Sequence, residues 1–124
     1  MLHEVLSLGQ QARKLGLRQI SISGGEPLCH PDIVGIVNGL ARQNLNTSIY
    51  TTGLIFDENQ TVLSYKNWDE FHSADPTLIF NIQSTTPNIH DQLVVRQGAF
   101  ALTKRSILLA QQEGFQIEVH IVPN

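Results

Sequence analysis

A chain of 124 residues with 41% hydrophobic content can build one domain around a packed core, and a charged fraction of 15% excludes a disordered, highly solvated chain. The net charge is −3 and the basic residues are scattered, so no nucleic-acid partner is expected. No apolar run approaches the ~20 residues that span a bilayer, and Met1 to Gln10 lack the basic start and apolar block of a signal peptide, so the expectation is a cytoplasmic protein without a membrane partner.

Leu2, Val5, Leu6, Ala12 and Leu15 fall near helical spacing, and Gly16 is a natural stop for this first helix. Gln19 to Ser23 reads as a strand in which Ile20 and Ile22 alternate with polar residues. Gly24, Gly25 and Pro27 follow. A second helix carries Ile33, Ile36, Val37 and Leu40 on one face, with Pro31 suited to its first turn. Thr47 to Thr52 is β-rich and ends at Gly53. A short helix is expected around Thr61 to Tyr65, then a loop holding Trp68 and Phe71, both packed against the sheet. Thr77 to Gln83 is the third strand. Ser84 to Gly98 reads mostly as loop, with one turn near His90 to Leu93. Phe100 to Glu113 is a strong helix closed by Gly114, and Ile117 to Val122 is the fourth strand, ended by Pro123.

The order αβαβαβαβ, with strand starts about 30 residues apart, implies an α/β fold of parallel strands joined by right-handed helical crossovers. No linker, low-complexity tract or second domain interrupts it. Two architectures fit this pattern. One is a small open sheet. The other is a partial (β/α) barrel with about four parallel strands, because a closed barrel takes about 250 residues.

In parallel α/β folds, ligands bind at the carboxyl ends of the strands. Those ends carry Ser23-Gly24-Gly25-Glu26-Pro27, then Thr51-Thr52-Gly53, then Gln83-Ser84-Thr85-Thr86, then His120 and Asn124. The two glycines let the backbone turn sharply and approach a ligand without a Cβ clash. Glu26 brings a carboxylate suited to an ammonium group or a cation, and Pro27 stiffens the turn. Neither GxxxxGK[ST] nor GxGxxG occurs, which disfavours a P-loop or dinucleotide site. His90-Asp91 reads as a hydrogen-bonding or helix-start element rather than a general-base pair. His3, His30 and His72 are at no metal-ligand spacing and read as surface or capping residues. Arg96 and Lys104 read as solvated.

Ile20 to Leu28 with His30-Pro31-Asp32-Ile33 resembles the Gly-Gly-Glu-Pro strand end of radical S-adenosylmethionine (radical SAM) enzymes. Tyr50-Thr51-Thr52-Gly53 resembles that family's next strand end, with Thr52 in place of the usual Asn. Ile82-Gln83-Ser84, His90-Asp91, Gly98-Ala99-Phe100 and Glu113-Gly114-Phe115 resemble its fourth βα unit. Ile117 to Asn124 resembles its fifth strand. The likeness runs the length of the chain in order. It implies that Gly24 and Gly25, through backbone atoms, and Glu26, through its carboxylate, hold the methionyl amine of SAM, with Pro27 completing the motif. It further implies Gln83 and Ser84 as contacts to the ribose or methionyl carboxylate. Thr52, His120 and Asn124 are further rim candidates.

The family's Cys-x3-Cys-x2-Cys loop, which ligates a [4Fe–4S] cluster, has no counterpart here. The single cysteine, Cys29, lies after Pro27-Leu28 and reads as a small half-buried residue, so no metal ligands are assigned. The resemblance then implies one partial domain over residues 1–124, truncated at both ends, with the cluster belonging to the intact family only. The intact parent is expected to cleave SAM reductively and act on a small-molecule or peptide substrate. A missing segment or a partner chain is expected to complete the barrel. A non-catalytic, SAM-binding scaffold that lacks the cluster is the alternative. Catalytic residues are not assigned.

Overall fold

The computed structural model describes residues 1–52, 65–94 and 97–121. In chain order these form α1 (Leu2–Lys14), β1 (Gln19–Ile22), a 3-10 turn (Pro27–Cys29), α2 (Ile33–Arg42), β2 (Asn46–Thr51), α3 (Tyr65–Ser73), β3 (Thr77–Ile82), α4 (Pro87–Leu93), α5 (Ala99–Gln112) and β4 (Gln116–Ile121). All three strand pairings are parallel, and the strand order is β1-β2-β3-β4.

Sequential order decides between the two architectures left open by the sequence. Right-handed crossovers taken in one direction deposit every helix on the same face, whereas a doubly wound sheet reverses direction and covers both. The core follows the first pattern. Ile33 and Val37 of α2, Phe71 of α3 and Ala110 of α5 pack with Ile49, Leu78 and Phe80. Leu2, Val5 and Leu6 of α1 join Ile20, Ile22, Ile36, Leu40 and Leu45 on the same side. The opposite face presents Tyr50, Ile79, Asn81, Glu118 and His120. His120 is the register partner of Asn81, and its ring meets Tyr50 edge-on at 5.6 Å. A parallel sheet with helices on one face and mostly polar side chains on the other is the wall of a partial (β/α) barrel.

Local chemistry explains most element ends. Gly16 (φ +89°) closes α1 in a Schellman arrangement: the Leu17 N–H bonds the Ala12 carbonyl and the Gly16 N–H bonds that of Arg13. Three expectations need correction. Phe71 and Trp68 lie on helix α3, not in a loop. Few apolar residues mark that helix, and Phe71 is held by the core, with its ring 5.5 Å from that of Phe115. The stretch after Ser84 contains a two-turn helix, α4, with Thr86 at its N-cap and Pro87 at its first turn. Pro31 precedes the N-cap Asp32 instead of opening α2, and Pro27 opens the 3-10 turn. Gly53, residues 61–64 of the expected short helix, the side chain of Trp68, Arg96 and residues 122–124, with Pro123 and Asn124, lie outside the described residues.

Candidate functional site at the strand ends

β1 hands the chain to Ser23, Gly24 and Gly25 at the carboxyl end of the sheet. Gly24 has φ +107°, a conformation that an L side chain strains to adopt. A Cβ built on Gly24 or Gly25 meets nothing within 4 Å, so the space over the turn is an open cradle that a side chain would fill. The cleft measures about 350 Å³. Ser23, Gly24 and Gly25 form one wall, and Tyr50, Thr51, Thr52 and Asn81 the other.

Glu26 is committed to the protein. Its Oε1 accepts from the Thr51 hydroxyl at 2.7 Å and from the Leu28 N–H at 3.2 Å. Its Oε2 accepts from the Thr52 N–H at 2.8 Å and the Thr52 hydroxyl at 2.7 Å. The carboxylate thus straps the end of β1 to the end of β2. Thr103 extends the strap: its hydroxyl donates to the Thr52 carbonyl at 2.7 Å and ties in α5. Glu26, Pro27 and Cys29 also line a shallower cleft on the other side of the same glycines. Pro27 and Leu28 are buried under the turn. Burial, and then the nearby Glu26 charge, push the Cys29 thiol up, away from the thiolate that metal ligation needs.

A second cavity of about 260 Å³ adjoins the first. Thr52 and Asn81 line both, and Gln83, His90, Val94, Ala99 and Thr103 complete the second. The Gln83 N–H donates to His90 Nδ1 at 3.0 Å, which anchors the residue just past β3 to α4. Asp91, the next residue, accepts from the N–H groups of Gly98 and Phe100, each at 2.8 Å. Its carboxylate thereby caps α5 from α4, and those N–H bonds hold its carboxyl below the usual carboxylate range. His90-Asp91 is the hydrogen-bonding, helix-start element that the sequence suggested.

The structure therefore brings Gly24, Gly25 and Thr52 to one cleft, and Thr52 and Gln83 to its neighbour. Ser84 lines neither; its hydroxyl accepts the Thr86 N–H at 3.1 Å in a local turn. His120 also lines neither. Its Nε2 lies 3.2 Å from Glu118, and it reaches the site through the Tyr50 ring. Asn81, Thr103 and the clamp role of Thr51 escaped the sequence reading. Asn81 did carry a signal, a lone polar residue at alternate spacing in the apolar strand Leu78 to Ile82. Thr103 carried none, because its partner lies 51 residues earlier. Among the described residues no cluster of three or more His, Cys, Asp or Glu is placed to hold a metal, and no helix is long and apolar enough to cross a membrane.

A model of the radical SAM superfamily matches residues 2–123. The chain is 43% identical to a PqqA peptide cyclase of Gluconobacter oxydans over 49 residues, 40% of this chain and 14% of that protein. It is 28% identical to a GTP 3′,8-cyclase of Desulforamulus reducens over 127 residues, covering 96% of this chain and 35% of the relative. A PqqA peptide cyclase of Ruegeria pomeroyi is 28% identical over 92 residues, 73% of this chain and 23% of its own length. The chain spans between 14% and 35% of the length of these curated relatives.

Proposed function

The chain belongs to the radical SAM superfamily, and on that premise we propose that its strand-end rim binds S-adenosylmethionine within an enzyme core that matures a peptide or a cofactor. The observation that carries this reading is the empty space over Gly24 and Gly25, a cradle bordered by backbone at the carboxyl ends of parallel strands. A methionyl ammonium offers three N–H donors and seeks acceptors. The backbone carbonyls of the turn supply them, while Glu26, with its carboxylate engaged by Thr51, Thr52 and Leu28, holds the turn in shape. Thr52 and Asn81 continue the wall toward Gln83, which on this reading meets the ribose or the methionyl carboxylate. Bound SAM supplies a sulfonium whose C–S bond is the one broken in the family's chemistry.

The [4Fe–4S] cluster does not fit the residues of this chain. It takes three closely spaced thiolates, and the sequence holds one cysteine, whose thiol is pushed up. On this reading the thiolates come from polypeptide outside residues 1–124, in the same protein or in a partner. The relatives' names point to two substrates, the PqqA peptide and GTP. The 43% stretch shared with a PqqA peptide cyclase supports the peptide choice.

Calorimetry on the iron-free chain with SAM tests the site. We expect heat of binding for the wild type and its loss in Gly25→Val, whose Cβ enters open space over the turn. Equal affinity in the two proteins would remove the turn from the ligand site. The single cysteine favours one further reading, a SAM-binding scaffold that works without a cluster. Anaerobic iron and sulfide reconstitution, with and without a cysteine-bearing partner, separates the two: the visible absorbance of a cluster in the partnered sample supports the enzyme core.

A further inference from the structure

Among Asp, Glu, Lys and Arg, the four strands hold a single residue, Glu118. Register sets its surroundings. Tyr50 pairs with Ile79 and Ile79 with Glu118, while Asn81 pairs with His120 two residues nearer the carboxyl ends. Alternation turns all five to the face away from the helices. The row below them is closed on itself: the Gln19 amide donates to the Ser48 hydroxyl at 3.2 Å, and the Thr77 hydroxyl donates to Gln116 at 3.5 Å. In the rows above, Ile79 is 4% exposed although it belongs to neither core cluster, because the Tyr50 and His120 rings meet over it edge-on at 5.6 Å. Among the described residues, the Glu118 carboxylate meets His120 Nε2 at 3.2 Å and nothing else, and its side chain is 57% exposed. By contrast, Glu26 and Asp91 are engaged by backbone N–H groups.

We propose that this wall is the substrate side of the site, and that Glu118 selects a cationic group: the ammonium or guanidinium of a basic side chain on a peptide. The inference rests on the reading of the chain as part of a peptide-modifying core, and it names the chemistry of what that core accepts. A carboxylate beside an aromatic ring is a pair that holds an organic cation. The carboxylate takes charge-assisted hydrogen bonds, and the ring attracts the cation through its quadrupole. Glu118 and Tyr50 supply the two halves, one strand apart on the same row. Tyr50 and Asn81 also line the turn cleft, so a cation held at Glu118 lies along the same wall as the ligand of the glycine turn. The wall is also selective against the opposite charge. The described strands carry no Lys or Arg to neutralise a phosphate or a carboxylate, and Glu118 repels either.

Amide NMR titration of the full 124-residue chain with three capped tripeptides tests the subsite. The probes are alanine-lysine-alanine, the same peptide with its lysine amine acetylated, and alanine-glutamate-alanine. We expect the lysine peptide to shift the amides of Tyr50, Asn81 and Glu118, and to bind about fivefold more tightly than either of the others. Glu118→Gln keeps the shape and removes the charge, so it should erase that preference. Tyr50→Leu should weaken the lysine peptide by about threefold, and Tyr50→Phe should leave it at the wild-type affinity. Equal affinity for the lysine and acetyl-lysine peptides, an unchanged preference in Glu118→Gln, or no binding of any probe overturns the proposal. Glu118 is exposed, so its Gln variant folds even if Tyr50→Leu does not, and that variant with the acetylated peptide then decides. Calorimetry with SAM on the same protein separates the two readings. Lysine selectivity in a chain that binds no SAM removes the ligand of the turn and keeps Glu118, whereas SAM binding without charge selectivity removes Glu118 alone.

Discussion

The ends of β1 and β3 are both pinned by a titratable side chain, and they are pinned differently. At the end of β1 the Glu26 carboxylate accepts four hydrogen bonds, from Thr51, Leu28 and twice from Thr52. Both of its oxygens are used. At the end of β3 the His90 imidazole accepts one, from Gln83, and the residue lines the adjoining cavity. Glu26 therefore ties the end of β1 to the end of β2 through both oxygens, and His90 ties the residue past β3 to α4 through one ring nitrogen. In the sequence, Glu26 reads as a ligand contact and His90-Asp91 as a hydrogen-bonding or helix-start element.

Substitutions at these ends break or sharpen the contrast. Glu26→Ala should have the largest effect. It takes one acceptor from buried Thr51 and loosens Thr52, and we expect a loss of about 2 kcal/mol in urea unfolding together with loss of SAM binding. Glu26→Gln keeps one acceptor oxygen but turns a donor toward the Thr52 N–H, so its stability should fall between those two proteins. Stability unchanged in Glu26→Ala would show that the strap is idle and restore the carboxylate as a direct contact. Thr103→Val removes the hydroxyl that ties α5 to the Thr52 carbonyl while keeping its shape. A loss of about 1 kcal/mol is expected, with a smaller effect on binding than at Glu26.

Asp91→Asn should give the smallest change. The carboxyl is held below its ordinary value by the N–H groups at the start of α5, so the charged form is favoured in the folded state. That contribution is complete above the ordinary Asp value of about 4 and fades as pH falls through the lower folded value. Thermal unfolding should therefore show wild type above Asp91→Asn at neutral pH, with the two curves converging in acid. A constant gap down to the most acidic point would mean that the cap does not depend on the charge.

The fold was legible where one stretch of chain decides its own shape. Alternating Ile20 and Ile22, the helical face of Ile33, Ile36, Val37 and Leu40, and the stops at Gly16 and Gly114 all act within a few residues. The turn at Gly24-Gly25 was legible for the same reason, since φ +107° at Gly24 is a local steric demand. Helix α3 was not, because its Phe71 is recruited by Phe115, far along the chain. Nor was the site's second wall. Parallel pairing sets Ser48 beside Thr77 and Asn81 beside His120, and such register is invisible until the strands are laid side by side.

By itself, then, the sequence determined the α/β alternation, the glycine turn and the likeness to radical SAM enzymes, because these are written in local periodicity and in an ordered set of short motifs. Only the tertiary structure decided that the sheet is wound in one direction with a polar inner face. It alone engaged the Glu26 carboxylate with Thr51 and Thr52, 25 and 26 residues away, and set the His90 ring against the Gln83 N–H. The physical reason is that a side chain's availability to a ligand is what remains after its hydrogen bonds to the protein are made, and those partners are chosen by packing across the sheet.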